Sequence, residues 1–460
     1  MSPLPLRERW SLVLLPALSG LALSACASYR AAPLSSTPGI TSPPFAAVLA
    51  QQSRTIDLPF LTPVAVDLAA PLDLNAIAVV TVLENPDLKA QRERAGIADA
   101  QVFSARLLPD PVIGAGIDHI LSGPDPLDSL IGQVGLDLAA LRSRKAVTQG
   151  ATAAAQAVRL DLAWAEWQVA GSARLQAVRV VSLERAGILT TQSKANADDL
   201  LARSLRASGR GDIRADEVES RRLAAIDAGS QARAGDRDLD AARLELLRLM
   251  GLSPQTRLKL ADQSLPQPSL DAERLFALAE VQRLDLKALQ AGYASQEAAV
   301  HKAVLDQFPN LTLNITGTRD NTGNKLLGPS VNFTLPLWNR NRGGIAVATA
   351  TRAALKAEYD ARLFQTRASI AAAVSGIEIA RRQRGELVAD LPALARFSAA
   401  IRRAANRGDL ALATAQTAEQ SLRDKQLALV QLDQAIAEQL IALELLVGVP
   451  IADWPTGQIK

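Results

Sequence analysis

The chain has 460 residues, 48% of them hydrophobic and 21% charged, enough apolar material for a large core and too much for a disordered polypeptide. Fifty Lys+Arg against 47 Asp+Glu leave a formal charge of +3, which argues against nucleic-acid binding through a basic face. One cysteine (Cys26) and two histidines (His119, His301) rule out a disulfide and the usual Cys/His zinc centre, and 3% aromatics favours long helices over a β-sandwich.

The chain opens with Arg7 and Arg9, then an apolar run from Trp10 to Leu23 that is short for a membrane span and reads as a signal peptide over 1–25. Leu23-Ser24-Ala25-Cys26 resembles the bacterial lipobox, which implies lipidation at Cys26. In the sorting pattern this resembles, Ala27 in place of Asp points to the outer membrane. Acyl chains contribute about 0.8 kcal/mol per buried CH₂, so several make a firm anchor. Residues 27–72 are rich in Pro, Ser, Thr and Ala without a steady period and are expected to form an extended, tethered arm.

From residue 73 onward one unit is used twice, over 73–270 and 271–460, at an offset close to 197. Asp87-Leu88-Lys89-Ala90 recurs as Asp285-Leu286-Lys287-Ala288, and Arg210-Gly211-Asp212-Ile213 as Arg407-Gly408-Asp409-Leu410. Leu249-Met250-Gly251-Leu252 recurs as Leu446-Val447-Gly448-Val449. Each copy starts with a helix (84–108, 284–308) that ends at Pro109 or Pro309.

Two strand-like runs follow in each copy, expected at about 110–121 and 130–141, then at about 310–319 and 328–338. In the second copy Leu311, Leu313 and Ile315 alternate with Thr312, Asn314 and Thr316, while Val331, Phe333 and Leu335 alternate with Asn332 and Thr334. A period of two with one apolar and one polar face marks half-exposed strands, and about 9–11 residues is the length of a tilted membrane strand. A small soluble hairpin fits the alternation equally well; the lipobox tips the balance toward membrane.

Very long helical stretches come next, 142–208 and 339–405. Sixty-seven residues at about 1.5 Å each span roughly 100 Å, too long for a compact domain. Each turns at Gly211 or Gly408 into a second helix, where Leu422, Leu429, Ile436 and Leu443 repeat every seventh residue as a coiled-coil seam. The lengths predict two shorter helices stacked end to end beside one long one. Four strands cannot close an open channel, and unpaired edges are costly in lipid, so several chains must share one barrel. Thr312, Asn314, Thr316, Asn332 and Thr334 are then expected to face a water-filled lumen.

The lipobox, the duplicated unit and Leu335-Pro336-Leu337-Trp338-Asn339-Arg340-Asn341-Arg342-Gly343-Gly344-Ile345-Ala346 resemble the outer-membrane efflux protein (TolC) family over about 73–450. The junction motif is especially similar to the branch serving heavy-metal pumps of the resistance–nodulation–division type. The resemblance implies a mainly α fold with a small β part, assembled as a homotrimer whose twelve-stranded barrel continues into a twelve-helix periplasmic tunnel. It implies a passive exit duct for metal ions, drugs or other small toxic compounds, partnered by a periplasmic adaptor and an inner-membrane pump. It implies no enzyme, no cofactor, no metal site and no nucleic-acid partner.

The family narrows its tunnel at helix tips carrying carboxylates. Here that places Glu217 on an acidic position, with Asp212, Arg214 and Asp216 around it. The second copy departs from the pattern: beside Asp409 it has Thr414 and Thr417 where acidic residues are common. Arg142, Arg144, Lys145, Arg340 and Arg342 are expected near lipid headgroups, and Phe308 and Trp338 in an aromatic girdle. A type I secretion duct, a pore-less coiled-coil scaffold lipoprotein and an envelope hydrolase are the alternatives. The sequence has no P-loop and no nucleophile–base constellation that would favour the last.

Overall fold

The structure, a computed structural model, describes residues 29–34, 46–123, 127–261 and 265–454. The expected signal peptide, Cys26 and the 455–460 tail lie outside the described residues. The chain divides into two units, 1–43 and 44–460. In the first, 29–34 is exposed and without regular structure. Everything below concerns the second.

The expected extended arm is corrected over its second half. Helix α1 (Ala46–Arg54) and the two-residue strand β1 (Pro71–Leu72) bracket a segment whose Leu49, Val66 and Leu72 are buried in a hydrophobic core. Apolar residues too scattered to show a period still find a surface to cover.

The first copy continues with α2 (Leu74–Glu84) and α3 (Pro86–Arg106). One helix was expected from residue 84; the observed break has a local cause. Pro86 has no N–H to extend α2, and Asn85 turns to ψ 123° and caps α3 by accepting from the Leu88 N–H at 3.0 Å. Strands β2 (Val112–Asp118) and β3 (Ser129–Asp137) lead into α4 (Leu138–Gly209), 72 residues and about 110 Å long at roughly 1.5 Å per residue. β3 was expected to reach 141. It stops at Asp137 because that carboxylate accepts from the Ala139 and Ala140 N–H groups and starts the helix. Helix α5 (Ala215–Leu249) returns along α4.

The first copy ends with β4 (Lys259–Leu260); the second has α6 (Ala272–Gln282), α7 (Leu284–Leu305), β5 (Leu311–Arg319), β6 (Lys325–Phe333), α8 (Arg342–Asn406) and α9 (Leu412–Val447), and a short 3-10 turn at Ile451–Asp453 closes the described chain. β6 was expected over 328–338 and is shifted toward its loop. Asp320 accepts from the Thr322 and Asn324 N–H groups and from the Asn324 side chain, folding a short turn that starts β6 at Lys325. Thr334 and Leu335 therefore lie beyond the strand. Helix α8 runs through Pro392 without ending.

As the lengths predict, α3 and α5 both lie against α4, and α7 and α9 both lie against α8. Each pair of short helices is tied at its joint. The Asn85 amide donates to the Leu249 carbonyl at 2.8 Å, and in the second copy Arg283 Nη1 donates to the Leu446 carbonyl at 3.0 Å. Each copy builds its own core at this joint. Ile77, Val79, Ala177, Leu246 and Met250 form the first, and Ile370, Ile377, Leu440, Leu443 and Trp454 the second. β1 pairs in parallel with β4 and so ties the start of the first copy to its end. The strands after α3 and α7 merge into one antiparallel sheet of order β2-β3-β5-β6.

Candidate functional site: a two-faced sheet and two helix tips

Residues directly opposite in an antiparallel pair share a face, so the register sorts the sheet's side chains without ambiguity. Thr312 pairs with Asn332 and Asp137, Asn314 with Ser330 and Gly135, and Thr316 with Gly328 and Gln133. The other face carries Leu313 with Val331 and Leu136, Ile315 with Pro329 and Val134, and, across β2–β3, Val134 with Ile113. Leu313, Ile315, Val331, Phe333, Val134 and Ile113 are all exposed. Over its helix-side half the sheet is polar on one side and openly apolar on the other, with no soluble core of its own; toward the loops Ile131 and Leu326 join Thr318 on the polar face, and Arg319 and Lys325 lie on the apolar one. The register brings Thr312, Asn314, Thr316 and Asn332 to one polar surface. It adds Gln133 and Asp137 of β3, which alternate in the sequence with Val134 and Leu136, and Ser330 of β6, which the register sets opposite Asn314.

The rim beneath the sheet is a set of clamps. Arg142 donates to the carbonyls of Pro309 and Phe308 at 3.1 and 3.4 Å and lies 5.7 Å from the Phe308 ring centroid. Arg144 donates to the Arg106 carbonyl, and Asn341, its counterpart 197 positions on, to the Ala303 carbonyl at 2.8 Å. Cationic donors at helix C-termini suit both the free carbonyls and the helix dipole. Trp338 is 86% exposed, whereas Phe308 is partly covered by Arg142.

At the far end the two copies turn identically. Gly211 (φ 82°) and Gly408 (φ 86°) adopt the left-handed conformation, and the next N–H, of Asp212 or Asp409, reaches back to Ala207 or Ala404 at 2.9 or 3.0 Å. The Arg210 guanidinium pairs with Asp212 at 2.8 Å and that of Arg407 with Asp409 at 2.9 Å. Arg214 pairs with Asp216 at 3.3 Å. Asp212, Arg214, Asp216, Glu217, Asp409, Thr414 and Thr417 are all exposed at these tips, and of the four carboxylates in this set Glu217 alone has no ion-pair partner among the described residues. Thr417 donates to the Ala413 carbonyl at 3.0 Å.

Just above the tips lies a network the sequence did not suggest. Arg402 of α8 forms a double contact with Glu419 of α9, Glu419 also faces Arg423 at 3.9 Å, and Arg423 donates to Ser193 of α4 at 3.1 Å. Its hydrogen bond to Glu419 holds the Arg402 pKa above the usual arginine range, whereas burial pulls that of Arg423 down. The first copy has no counterpart, with Leu205, Arg222 and Ile226 at the equivalent positions. The i,i+4 spacing of Glu419 and Arg423 was the only available signal.

His119 meets Asp128 at 2.6 Å in the β2–β3 connection, and His301 is exposed on α7. Among the described residues no group of three or more His, Cys, Asp or Glu side chains is arranged to hold a metal ion. No described helix is long and apolar enough to cross a membrane, a statement that leaves β-strands untouched.

Residues 275–449, from α6 to the end of α9, match the family model described as outer membrane efflux protein. No curated protein sequence matches the chain significantly. Three solved structures similar to it are outer-membrane proteins. The Campylobacter jejuni CmeC channel shares 14% identity at a TM-score of 0.72, over 92% of this chain and 94% of that one. The Vibrio cholerae VceC protein shares 17% at 0.69, over 82% and 96%. The Neisseria gonorrhoeae MtrE channel, solved in its open state, shares 17% at 0.66, over 86% and 96%. At these identities the likeness is one of fold, and it extends over nearly all of each of the three proteins.

Proposed function

We propose that this chain, which belongs through residues 275–449 to the outer membrane efflux protein family, is one subunit of an outer-membrane efflux duct. The observation that carries the reading is the segregation of the helix-side half of the four-stranded sheet into an exposed apolar face and a polar face, at one end of helices about 110 Å long. The apolar face fits lipid, and the polar face, where Gln133, Ser330 and Asn332 are open around the tucked-in Asn314, fits a water-filled lumen. The β2 and β6 edges expose backbone groups that cost several kcal/mol each in hydrocarbon, so identical copies pair them edge to edge. Three copies give twelve strands, and the helices of the three join into one tunnel through the periplasm.

The tips at Gly211 and Gly408 form the periplasmic aperture. Glu217, unpaired and in the first turn of α5, supplies its open negative charge. Asp212, Asp216 and Asp409 are neutralised by their own arginines, and Thr414 and Thr417 leave the second-copy tip nearly uncharged. A periplasmic adaptor docks at these tips, and an inner-membrane pump of the resistance–nodulation–division type supplies the energy. Acyl chains on Cys26 anchor the chain to the outer membrane. The cargo consists of metal ions, drugs or other small toxic compounds, selected by the pump and not by the duct.

The test is conductance of the purified protein in a planar bilayer. Trimer-sized channels of fixed unit conductance are expected, and Glu217→Gln lowers their preference for cations. A monomer that conducts nothing overturns the reading and supports a pore-less scaffold.

A further inference from the structure

The duplication supplies an internal comparison at the joint. In the first copy Glu184 of α4 accepts from the Arg243 guanidinium of α5 at 2.8 Å, and both line a cavity of about 390 Å³. The equivalent cavity of the second copy, about 380 Å³, is lined by the residues 197 positions on, Arg381 and Leu440. There the carboxylate has become a guanidinium and its charged partner a leucine.

Arg381 is left under-satisfied. Its Nη1 donates to the Pro268 carbonyl at 3.2 Å, while Nε and Nη2 are buried and make no hydrogen bond. Arg384 lines the same cavity and pairs with Asp433, so that carboxylate is already committed while two buried N–H groups of Arg381 are not. A buried cationic donor without an acceptor is destabilising, and a planar guanidinium is shaped to grip a pair of oxygens.

We infer that this cavity is a binding site for a small oxyanion, a phosphate or a carboxylate, held by Arg381 with Arg384 beside it. The anion stands to Arg381 as Arg243 stands to Glu184 in the first copy, with the charges exchanged. It lies among α4, α8, α9 and the segment that follows residue 264, so its occupancy ties the second-copy joint to the first-copy long helix.

The experiment is calorimetric titration of the purified full chain in detergent with inorganic phosphate, at ionic strength held constant with chloride. Saturable binding at one equivalent per subunit is expected, with Arg381→Gln weakening it by about tenfold or more, the worth of one charge-assisted hydrogen bond. Asp433→Asn, which removes the competing acceptor of Arg384, tightens it. Competition by malonate assigns carboxylates to the site as well as phosphate; binding that malonate leaves unchanged confines the ligand to phosphates. Absence of saturable heat with the folded wild-type chain, or equal affinity in folded Arg381→Gln, overturns the inference and leaves water in the cavity.

Discussion

Gly135 lies directly opposite Asn314 in the β3–β5 pair, and a β-carbon on Gly135 would overlap the Asn314 Oδ1. The missing side chain on one strand is the space that holds the polar one on the next, and Asn314 is only 8% exposed as a result. Gly135→Ala is therefore expected to destabilise the sheet by about 1–3 kcal/mol, the usual cost of overpacking. Gly132, on the same strand but the apolar face, has nothing closer than the Gly317 carbonyl at 4.0 Å. Gly132→Ala is expected to be neutral or stabilising by roughly 0.5–1 kcal/mol. Thermal melts of the two variants check the contrast, and Gly135→Ala/Asn314→Ala recovers most of the loss if the clash is the cause.

The turn glycines separate conformational strain from crowding. Gly211 and Gly251 both have positive φ, 82° and 66°. Around Gly211 there is open space, whereas a β-carbon on Gly251 would run into the Glu84 carbonyl at the α2–α3 joint. Gly211→Ala is expected to cost about 1–2 kcal/mol, the left-handed penalty alone. Gly251→Ala adds an overpacking cost of about 1–3 kcal/mol. Chemical denaturation of both should rank Gly251→Ala clearly lower; equal losses would mean that the joint yields.

Much of this architecture was legible because it is periodic or repeated. The doubled Arg-Gly-Asp turns, the long uninterrupted helices and the alternation from Leu311 to Thr316 are local patterns, and the structure follows them. What escaped is set by pairing. The Lys325-Leu326-Leu327-Gly328-Pro329 stretch does not alternate, so the start of β6 is decided by Asp320 folding its turn and by the register with β5. The helix expected from 84 hides a joint whose residues differ in kind, Asn85 in one copy and Arg283 in the other, although both reach the same carbonyl position. At the tips, Glu217 is singled out by the resemblance to the efflux family and not by any local pattern, and the self-pairing of Asp212, Asp216 and Asp409 depends on side-chain geometry. Likewise nothing in the sequence alone distinguishes Arg381 from any surface arginine.

Arg174 of α4 and Glu444 of α9 form a two-pronged pair at 3.0 and 2.8 Å between the copies, with the carboxylate only 4% exposed. Removing one member strands a buried charge, so Glu444→Ala is expected to cost about 3–5 kcal/mol by chemical denaturation. The first copy has Leu247 at the place of Glu444, an apolar solution for the same position. Glu444→Leu/Arg174→Met is accordingly expected to regain most of that loss. A double variant as unstable as the single one would show that the pair is needed for its geometry and not for its charge balance.

Asp161 of α4 carries the opposite kind of imbalance. Partial burial, with the Asp285 carboxylate nearby, raises its pKa above the ordinary aspartate range, and attraction to Arg362 only partly offsets this. A carboxyl whose folded-state pKa is raised binds its proton more tightly in the native state than in the unfolded one. Its ionised form therefore costs stability at pH values above the raised pKa, and the cost disappears as the pH falls toward the ordinary carboxylate range. Asp161→Asn removes the charge while keeping the shape. The variant is expected to melt higher than wild type at neutral pH, and the gap should close on acidification as the wild-type carboxyl takes up its proton. Melting curves of both proteins across that range provide the check. A variant less stable than wild type at neutral pH would mean that attraction to Arg362 outweighs burial and the like charge of Asp285.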